Sequence, residues 1–225
     1  MVNRLKRGLF FLGVATATAL LPGCATTRGR LENLQSRDSE ARMEAVIETE
    51  RSRLGAKKAI PLLISIIQRD DNLEVRRAAV RALGKIGSKD RNRTTKILCD
   101  VLFETDPVLR RSGLAALGEL KPFPTGAFPS IISKLADEDE LVREMAQGTL
   151  LEYAPYCKFA LKNALINDSD PKIRSMAAET LGNIGDEGRF ALNDLRSALR
   201  DSDSGVRRSA ADAIRKIDPE ARMSF

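Results

Sequence analysis

Apolar and small residues recur along this chain with the spacing that places them on one face of a helix. In one stretch they are Val75, Ala78, Ala79, Ala82, Leu83 and Ile86. This i, i+3, i+4, i+7 pattern is typical of an amphipathic helix, and Ile173 to Ile184 repeats it. A second apolar stretch follows each copy, at Ile60–Ile67, Thr95–Phe103, Pro129–Leu135, Phe159–Ile166 and Ala191–Leu199. The pattern predicts an all-α chain built of helical hairpins.

Polar residues keep the same register. Six arginines stand 31 to 34 residues apart, at Arg42, Arg76, Arg110, Arg143, Arg174 and Arg207. Four positions before them stand Asp38, Asn72, Asp106, Asp139, Asp170 and Asp203. Asp and Asn are favoured N-cap residues, so each of these residues is predicted to cap a helix. Each arginine is predicted to bond to an acid of its own unit or of the neighbouring unit. A period of this length indicates an array of stacked units.

The pattern D-x-x-x-[VIL]-R-x-x-A-x-x-x-L-G, followed by a second helix, resembles the short HEAT repeat of the phycobilisome-lyase-like type. The resemblance covers residues 38–217 and leaves 218–225 as a C-terminal tail. It implies an α-solenoid of about five to six HEAT-like helical hairpins. Resemblance in a scaffold does not transfer a lyase activity.

The N-terminus has the pattern of an export signal. Arg4, Lys6 and Arg7 precede the uncharged run Gly8–Leu21, and Cys24 ends the sequence Leu-Pro-Gly-Cys. Residues 1–23 are therefore predicted to be a signal peptide. Leu-Pro-Gly-Cys resembles the lipobox of bacterial lipoproteins, which implies lipidation of Cys24. The alternative, an uncleaved membrane anchor, is disfavoured because the run is shorter than the ~20 residues of a spanning helix.

The sequence after Cys24 suggests a location. Ala25, Thr26 and Thr27 follow the cysteine without an aspartate, which resembles outer-membrane sorting in Gram-negative lipoproteins. We expect a lipid-anchored protein of the bacterial cell envelope, at the outer membrane and facing the periplasm. Residues 24–37 are predicted to form a lipidated tether, with residues 25–30 as its polar part, and a partial capping helix.

The charge of the chain does not indicate a nucleic-acid partner. The formal net charge is +6, but removal of residues 1–23 removes three cations and leaves 34 bases against 31 acids. A nearly balanced, exported protein is not expected to bind nucleic acid.

Residues suited to catalysis are scarce. The chain has no histidine, the commonest general base and metal ligand. Cys99 and Cys157 stand two units apart, too far for a disulfide between helices ~8–10 Å apart, and a zinc site needs about four ligands. The sequence therefore predicts no enzymatic activity, no cofactor and no metal.

Two surfaces are candidates for binding. Aromatic residues near the turns of the third and fourth units, Phe123, Phe128, Tyr153 and Tyr156, are either a contact patch for a partner or covers for the ends of their own helices. The second helices of the fourth and fifth units carry a mildly basic strip that is either an inner-groove site or a solvated face, made of Lys158, Lys162, Asn163, Asn193, Arg196 and Arg200.

The last unit lacks a second helix. Its open face is predicted either to bind another protein or a second copy, or to be covered by Met223 and Phe225. Together these features predict a membrane-anchored scaffold or assembly factor that binds a protein partner. The alternative is a lyase-like or chaperone-like module that holds a small ligand in the inner groove.

Overall fold

The structure is a computed structural model that describes residues 26–220. The predicted signal peptide, Cys24 and the tail residues 221–225 lie outside this range, so the predictions made for them are not addressed by it. Residues 26–220 form helices joined by short connections, without β-strands. None of the helices in this part of the chain has the length and hydropathy needed to cross a bilayer.

The helices follow one another as stacked hairpins. A short helix comes first, α1 (Thr27–Asn33). The first helices of the six units are α2 (Ser39–Ser52), α4 (Leu73–Ile86), α6 (Pro107–Glu119), α8 (Glu140–Glu152), α10 (Pro171–Asn183) and α12 (Ser204–Ile217). The second helices of the first five units are α3 (Ala56–Arg69), α5 (Arg91–Val101), α7 (Phe128–Ser133), α9 (Ala154–Asn167) and α11 (Leu192–Ala198). The predicted α-solenoid is confirmed.

The hairpins give the array two edges. Loops between units lie at the loop edge, which comprises residues 34–38, 70–72, 102–106, 137–139, 168–170 and 199–203. Turns within units lie at the turn edge, which comprises residues 53–55, 87–90, 120–127, 153 and 184–191. Helix α1 runs from the turn edge to the loop edge, where α2 begins. Helix α1 starts at Thr27, so the tether predicted at residues 25–30 is already helical from that residue.

The predicted caps are all in place. Asp38, Asn72, Asp106, Asp139, Asp170 and Asp203 each occupy the N-cap of a first helix and accept a hydrogen bond from its first turn. The small residues three positions after each arginine are buried between helices: Ala45, Ala79, Gly113, Ala146, Ala177 and Ala210. A cap contributes about 1 kcal/mol, so these columns fix where each hairpin starts.

The aligned arginines connect one loop to the next. Arg42 donates two hydrogen bonds to Asp70 of the following loop, at 2.6 and 2.8 Å, and Arg174 donates two to Asp201, both at 2.9 Å. Four of the six arginines pair with an acid of the next unit, 27 or 28 residues onward: Arg42, Arg76, Arg110 and Arg174. None of the six pairs with the cap residue four positions before it. The cap carboxylates are already engaged by backbone amides. The neighbouring-unit form of the predicted bond is therefore the one that forms.

Most of these guanidinium groups also bind their own loop. Arg174 donates to the carbonyl oxygens of Asp168 and Ser169, six and five residues earlier. Arg42, Arg110, Arg143 and Arg207 use the same two positions. Each of these five arginines thus donates to loop carbonyls that have no helical partner.

This ladder is interrupted at α8. Within residues 26–220, Arg143 has no acidic partner, although Asp168 stands where the other units place one. Helix α8 makes only slight contact with α10, whereas α10 packs extensively on α12. The row of first helices is therefore loosest between the fourth and fifth units.

Small residues explain where the first helices pack closely. A Cβ atom added to Gly84 of α4 would lie 2.7 Å from the Cα atom of Ala116 in α6, and one added to Gly182 of α10 would lie equally close to the Cα atom of Ala213 in α12. The corresponding pair between α8 and α10 is Leu151 and Thr180. Neither residue is glycine or alanine, and these two helices make only slight contact.

The last unit does not leave an apolar face open. On α12 the large apolar side chains Val206, Ile214 and Ile217 are buried, because the helix packs on α10 and α11. Among the residues that the structure describes, α12 exposes no large apolar side chain. The prediction of an open apolar face, and of self-association through it, is therefore not supported by this helix.

Candidate partner-binding face on the second helices

Three of the four aromatic residues proposed as a contact patch lie in the core. Phe123, Phe128 and Tyr153 are 7%, 3% and 8% exposed. The ring centroid of Phe123 lies 3.9 Å from that of Tyr153 and 5.0 Å from that of Phe128. The Tyr153 hydroxyl donates a hydrogen bond to the carbonyl oxygen of Gly118. The patch prediction is wrong for these three, which instead fill the turn between α6 and α7.

Helix α9 does present a large apolar face to solvent. Tyr156, Phe159 and Ile166 are 68%, 67% and 50% exposed. Their positions, with exposed Asn163 between them, follow the i, i+3, i+7, i+10 spacing of one helical face. The opposite face of α9 is buried through Cys157, Leu161 and Leu165. We call Tyr156, Phe159, Asn163 and Ile166 the α9 face.

The neighbouring unit extends this face. The ring centroid of Phe190, in the turn before α11, lies 5.2 Å from that of Phe159 in an edge-to-face arrangement. The ammonium group of Lys158 lies 5.9 Å from the Phe159 centroid and 5.6 Å from the Phe190 centroid. The exposed ring of Phe159 and the half-buried ring of Phe190 beside a cation form a surface with both apolar and polar contacts, which is the composition of interface anchors.

The strip predicted to be basic is largely neutralised. Lys158 pairs with Glu187 at 2.8 Å, and Lys162 pairs with Asp194 at 3.0 Å. Asn163 accepts a hydrogen bond from Asn167, and Asn193 accepts one from Arg196. Arg196 and Arg200 remain exposed. The two acids that neutralise these lysines belong to the next unit, so the residues of α9 alone overstate the positive charge of the strip.

The sequence itself contains a signal for the α9 face. Sixteen residues after the aligned arginines stand Lys58, Asn92, Gly126, Phe159 and Phe190. Twenty-three residues after them stand Ser65, Cys99, Ser133, Ile166 and Ser197. At the first of these columns the fourth and fifth units have phenylalanine, and at the second the fourth unit alone has a large apolar residue. This difference indicates a local surface role for the fourth unit.

A second, smaller group of apolar residues is exposed on α8. Leu141 and Met145 lie one turn apart and are 51% and 38% exposed. A Cβ atom added to Gly148, one further turn along, would meet no atom within 4 Å.

The two cysteines within the described residues are free thiols in different environments. Burial raises the pKa of Cys157 to about 11, and its thiol donates a hydrogen bond to the Leu150 carbonyl oxygen. Burial also raises the pKa of Cys99, which is half-buried rather than fully buried. A raised pKa lowers the thiolate population and hence nucleophilicity, so both thiols have structural environments.

A protein-family model described as HEAT repeats matches residues 27–118 and 160–224. The unmatched segment between them contains the buried aromatic turn and α8, where the spacing and the packing depart from the other units. No curated protein matches the chain.

Solved structures share the architecture at low sequence identity. The Escherichia coli protein YibA is 15% identical, with a TM-score of 0.52 over 84% of this chain and 69% of that one. An archaeal HEAT-like repeats protein from Thermococcus onnurineus NA1 is 16% identical, with a TM-score of 0.50 over 90% and 84% of the two chains. The complex of CpcE and CpcF of phycocyanin lyase from Nostoc sp. PCC7120 gives 23% identity and a TM-score of 0.47, over 88% and 66%. At these identities the likeness concerns the fold alone.

Proposed function

Because the chain belongs to the HEAT-repeat family, we propose that it is a lipid-anchored scaffold or assembly factor of the bacterial cell envelope that binds a partner protein through its second helices. An array of stacked hairpins offers an extended surface on which successive units present side chains in register. The proposal assigns no catalytic activity to the chain.

The α9 face is the observation that carries the binding role. Three large apolar side chains at 50% to 68% exposure stand on one helical face, beside Phe190 and two ion pairs. Exposed apolar residues grouped in this way are typical of protein interaction sites, with aromatic anchors at the centre and a polar rim. The partner is therefore expected to present an apolar segment that covers Phe159 and Ile166.

The anchoring role is supported by the sequence. Cys24 follows a predicted signal peptide in a lipobox-like context, and burial of acyl chains at ~0.8 kcal/mol per methylene makes multiple acylation a stable attachment. The sequence after Cys24 favours the outer membrane. A Cys24→Ala variant is expected to lose labelled fatty acid and to leave the membrane fraction; retention of both would contradict the anchor.

Crosslinking in intact cells tests the binding role. A photoreactive amino acid at position 159 is expected to give a discrete protein adduct, and the added substitution Ile166→Asp should abolish it by placing a charge in the contact. Position 81, an exposed arginine on α4, is the matched control and is expected to give no such adduct. Equal adducts at positions 159 and 81, or an adduct at 159 that survives Ile166→Asp, would contradict this assignment.

A small ligand in the inner groove is less well supported. Lys158 and Lys162, two of the bases proposed to hold it, are already paired with Glu187 and Asp194. A ligand would have to displace these ion pairs. If Lys162→Gln together with Arg196→Gln abolished the adduct at position 159 as completely as Ile166→Asp does, the charged strip rather than the apolar face would be the site.

A further inference from the structure

We propose that the turn edge of the first two units docks onto an anionic phospholipid bilayer through Arg53, Lys57, Lys58 and Lys89 together with the exposed side chain of Leu54. We call these five residues the basic surface. The proposal deepens the proposed anchoring, because it names a second membrane contact and the orientation that follows from it.

The basic surface has an excess of uncompensated positive charge. Its four cations are exposed and, with Gly55 and Ala56, line an open cavity of about 450 Å³. Within residues 26–220, none of the four forms an ion pair.

The acids near the basic surface do not cancel this charge. Glu50, near the end of α2, pairs with Lys85 at 2.6 Å, and the first turn of α3 contains two lysines and no acid. Asp90, next to Lys89 in sequence, is the one acid of the adjoining turn at residues 87–90. Cations in the first turn of a helix oppose its dipole, so this arrangement is unfavourable unless an anion compensates it.

Leu54 adds an apolar contact at the tip of the same turn. It is 65% exposed and lies between Arg53 and Gly55, whose φ angles of +53° and +74° form a tight turn. Helix α1 stabilises this turn, because the buried side chain of Arg30 donates a hydrogen bond of 2.7 Å to the carbonyl oxygen of Leu54. An apolar residue surrounded by cations is the combination that binds the headgroup region of anionic membranes.

The direction of the chain places the basic surface next to the proposed anchor. A Cβ atom added to Gly55 would lie 2.6 Å from Cγ2 of Thr27, so the start of α1 packs against the turn. Thr26 is the N-cap of α1, and only Ala25 separates it in sequence from Cys24. Two residues of extended chain span at most ~7 Å. This step rests on the proposed lipidation of Cys24, whereas the charge argument does not.

The opposite edge of the array favours the same orientation. Three of the carboxylates along the loop edge, Asp38, Asp71 and Asp170, are exposed. An anionic bilayer attracts the basic surface, whereas the loop edge presents exposed carboxylates and arginines that are already paired with acids. The array is therefore expected to meet the membrane by its turn edge.

Vesicle binding tests this inference independently of acylation. The full chain with Cys24→Ala is mixed with vesicles of phosphatidylethanolamine and phosphatidylglycerol, or of phosphatidylcholine alone. We expect salt-sensitive binding to the first and not to the second. The additional substitutions Lys57→Gln, Lys58→Gln and Lys89→Gln should weaken binding by roughly 100-fold, at about fivefold for each cation.

A matched control removes the same charge elsewhere. Arg81→Gln, Arg200→Gln and Arg208→Gln change three exposed arginines away from the basic surface and should leave vesicle binding unchanged. If the lysine variant binds like its parent, or if both triple variants lose binding equally, the inference is wrong. It is also wrong if duplex DNA, rather than the anionic vesicles, binds with the same dependence on the three lysines.

A second measurement needs no substitution in the basic surface. On anionic vesicles, chemical acetylation of Lys57, Lys58 and Lys89 should slow, while that of exposed Lys216 on α12 should not. Uniform rates would overturn the proposed orientation. Loss of fatty acid from Cys24→Ala in cells reports on the lipid anchor alone, so the anchor and the basic surface can fail separately.

Discussion

Arg110 and Asp137 form the most buried ion pair of the loop edge. Both side chains are 5% exposed, and the guanidinium lies 2.7 Å from the carboxylate. Asp137 also accepts a hydrogen bond from the backbone amide of Asp139. Asp168 accepts the equivalent bond from Asp170 but has no arginine partner within the described residues. The two aspartates therefore differ in the bond to arginine, and Asp137 is the more buried and also lies 3.6 Å from the ammonium group of Lys134.

The ion pair should make Asp137 contribute more to stability than Asp168. Asp137→Ala should lower the free energy of unfolding by about 3 kcal/mol, because it leaves the buried charge of Arg110 without its main partner. Asp168→Ala should cost about 1 kcal/mol, the contribution of a single hydrogen bond. Urea unfolding of both variants measures the difference. Equal losses would mean that the ion pair contributes nothing beyond the loop hydrogen bond.

The paired carboxylates should also set the response to acid. The hydrogen bonds from Arg174 hold the pKa of Asp201 below its ordinary value of 3.8, and the pKa values of Asp70 and Asp137 are lowered in spite of their burial because Arg42 and Arg110 bind them. A lowered folded-state pKa means that the unfolded chain binds protons more readily. The stabilisation is therefore fully present above the ordinary pKa and is lost as the pH falls through the lowered one.

Unfolding free energies measured from about pH 6 down to about pH 2 should show this loss. Asp201→Asn removes one of the responsible carboxylates and should make the decline with falling pH shallower. A decline of unchanged slope in this variant would show that other groups govern acid unfolding.

At the scale of the helix, close packing depends on glycine opposite alanine. Gly84 and Gly118 occupy the same position of α4 and α6, eight residues after the aligned arginine. A Cβ atom on Gly84 would lie 2.7 Å from the backbone of Ala116, whereas one on Gly118 would meet nothing within 4 Å. The same residue type is therefore required at one position and not at the other.

Gly84→Ala should destabilise the protein by about 1–3 kcal/mol, because α4 and α6 must move apart. Gly118→Ala should be neutral or stabilise it by up to about 1 kcal/mol, because alanine has the higher helix propensity. Thermal and urea unfolding compare the two. A stabilising effect of Gly84→Ala would contradict the close approach of these helices.

At the scale of the whole molecule, the array is not uniform. The first helices pack closely at α4 with α6 and at α10 with α12, but α8 lacks both the small-residue contact and the arginine bond to the next loop. Stability in a repeat array is approximately a sum of unit and neighbour terms, so a weak neighbour term remains local. The fourth unit is the place where the array is expected to open first.

Hydrogen exchange tests this expectation on two helices of equal length. Backbone amides of α8, residues 140–152, should exchange faster than those of α10, residues 171–183, because local opening costs less where few buried contacts are broken. Both helices have 13 residues and an aspartate N-cap, so a difference in exchange rate would not come from helix length or capping. Equal protection would show that the interruption has no energetic consequence.

The sequence alone determined the helices, their caps and the stacking of units, because capping and helical periodicity are local properties repeated in every copy. It did not determine which acid each arginine binds, since the acid lies in a loop 27 or 28 residues away. The buried ring cluster of Phe123, Phe128 and Tyr153, the neutralised lysines beside α9 and the basic surface near α1 were likewise decided by tertiary structure. All three features lie where neighbouring units meet. Whether a side chain is buried, paired or exposed there depends on residues that are distant in sequence, and a local sequence pattern does not relate them.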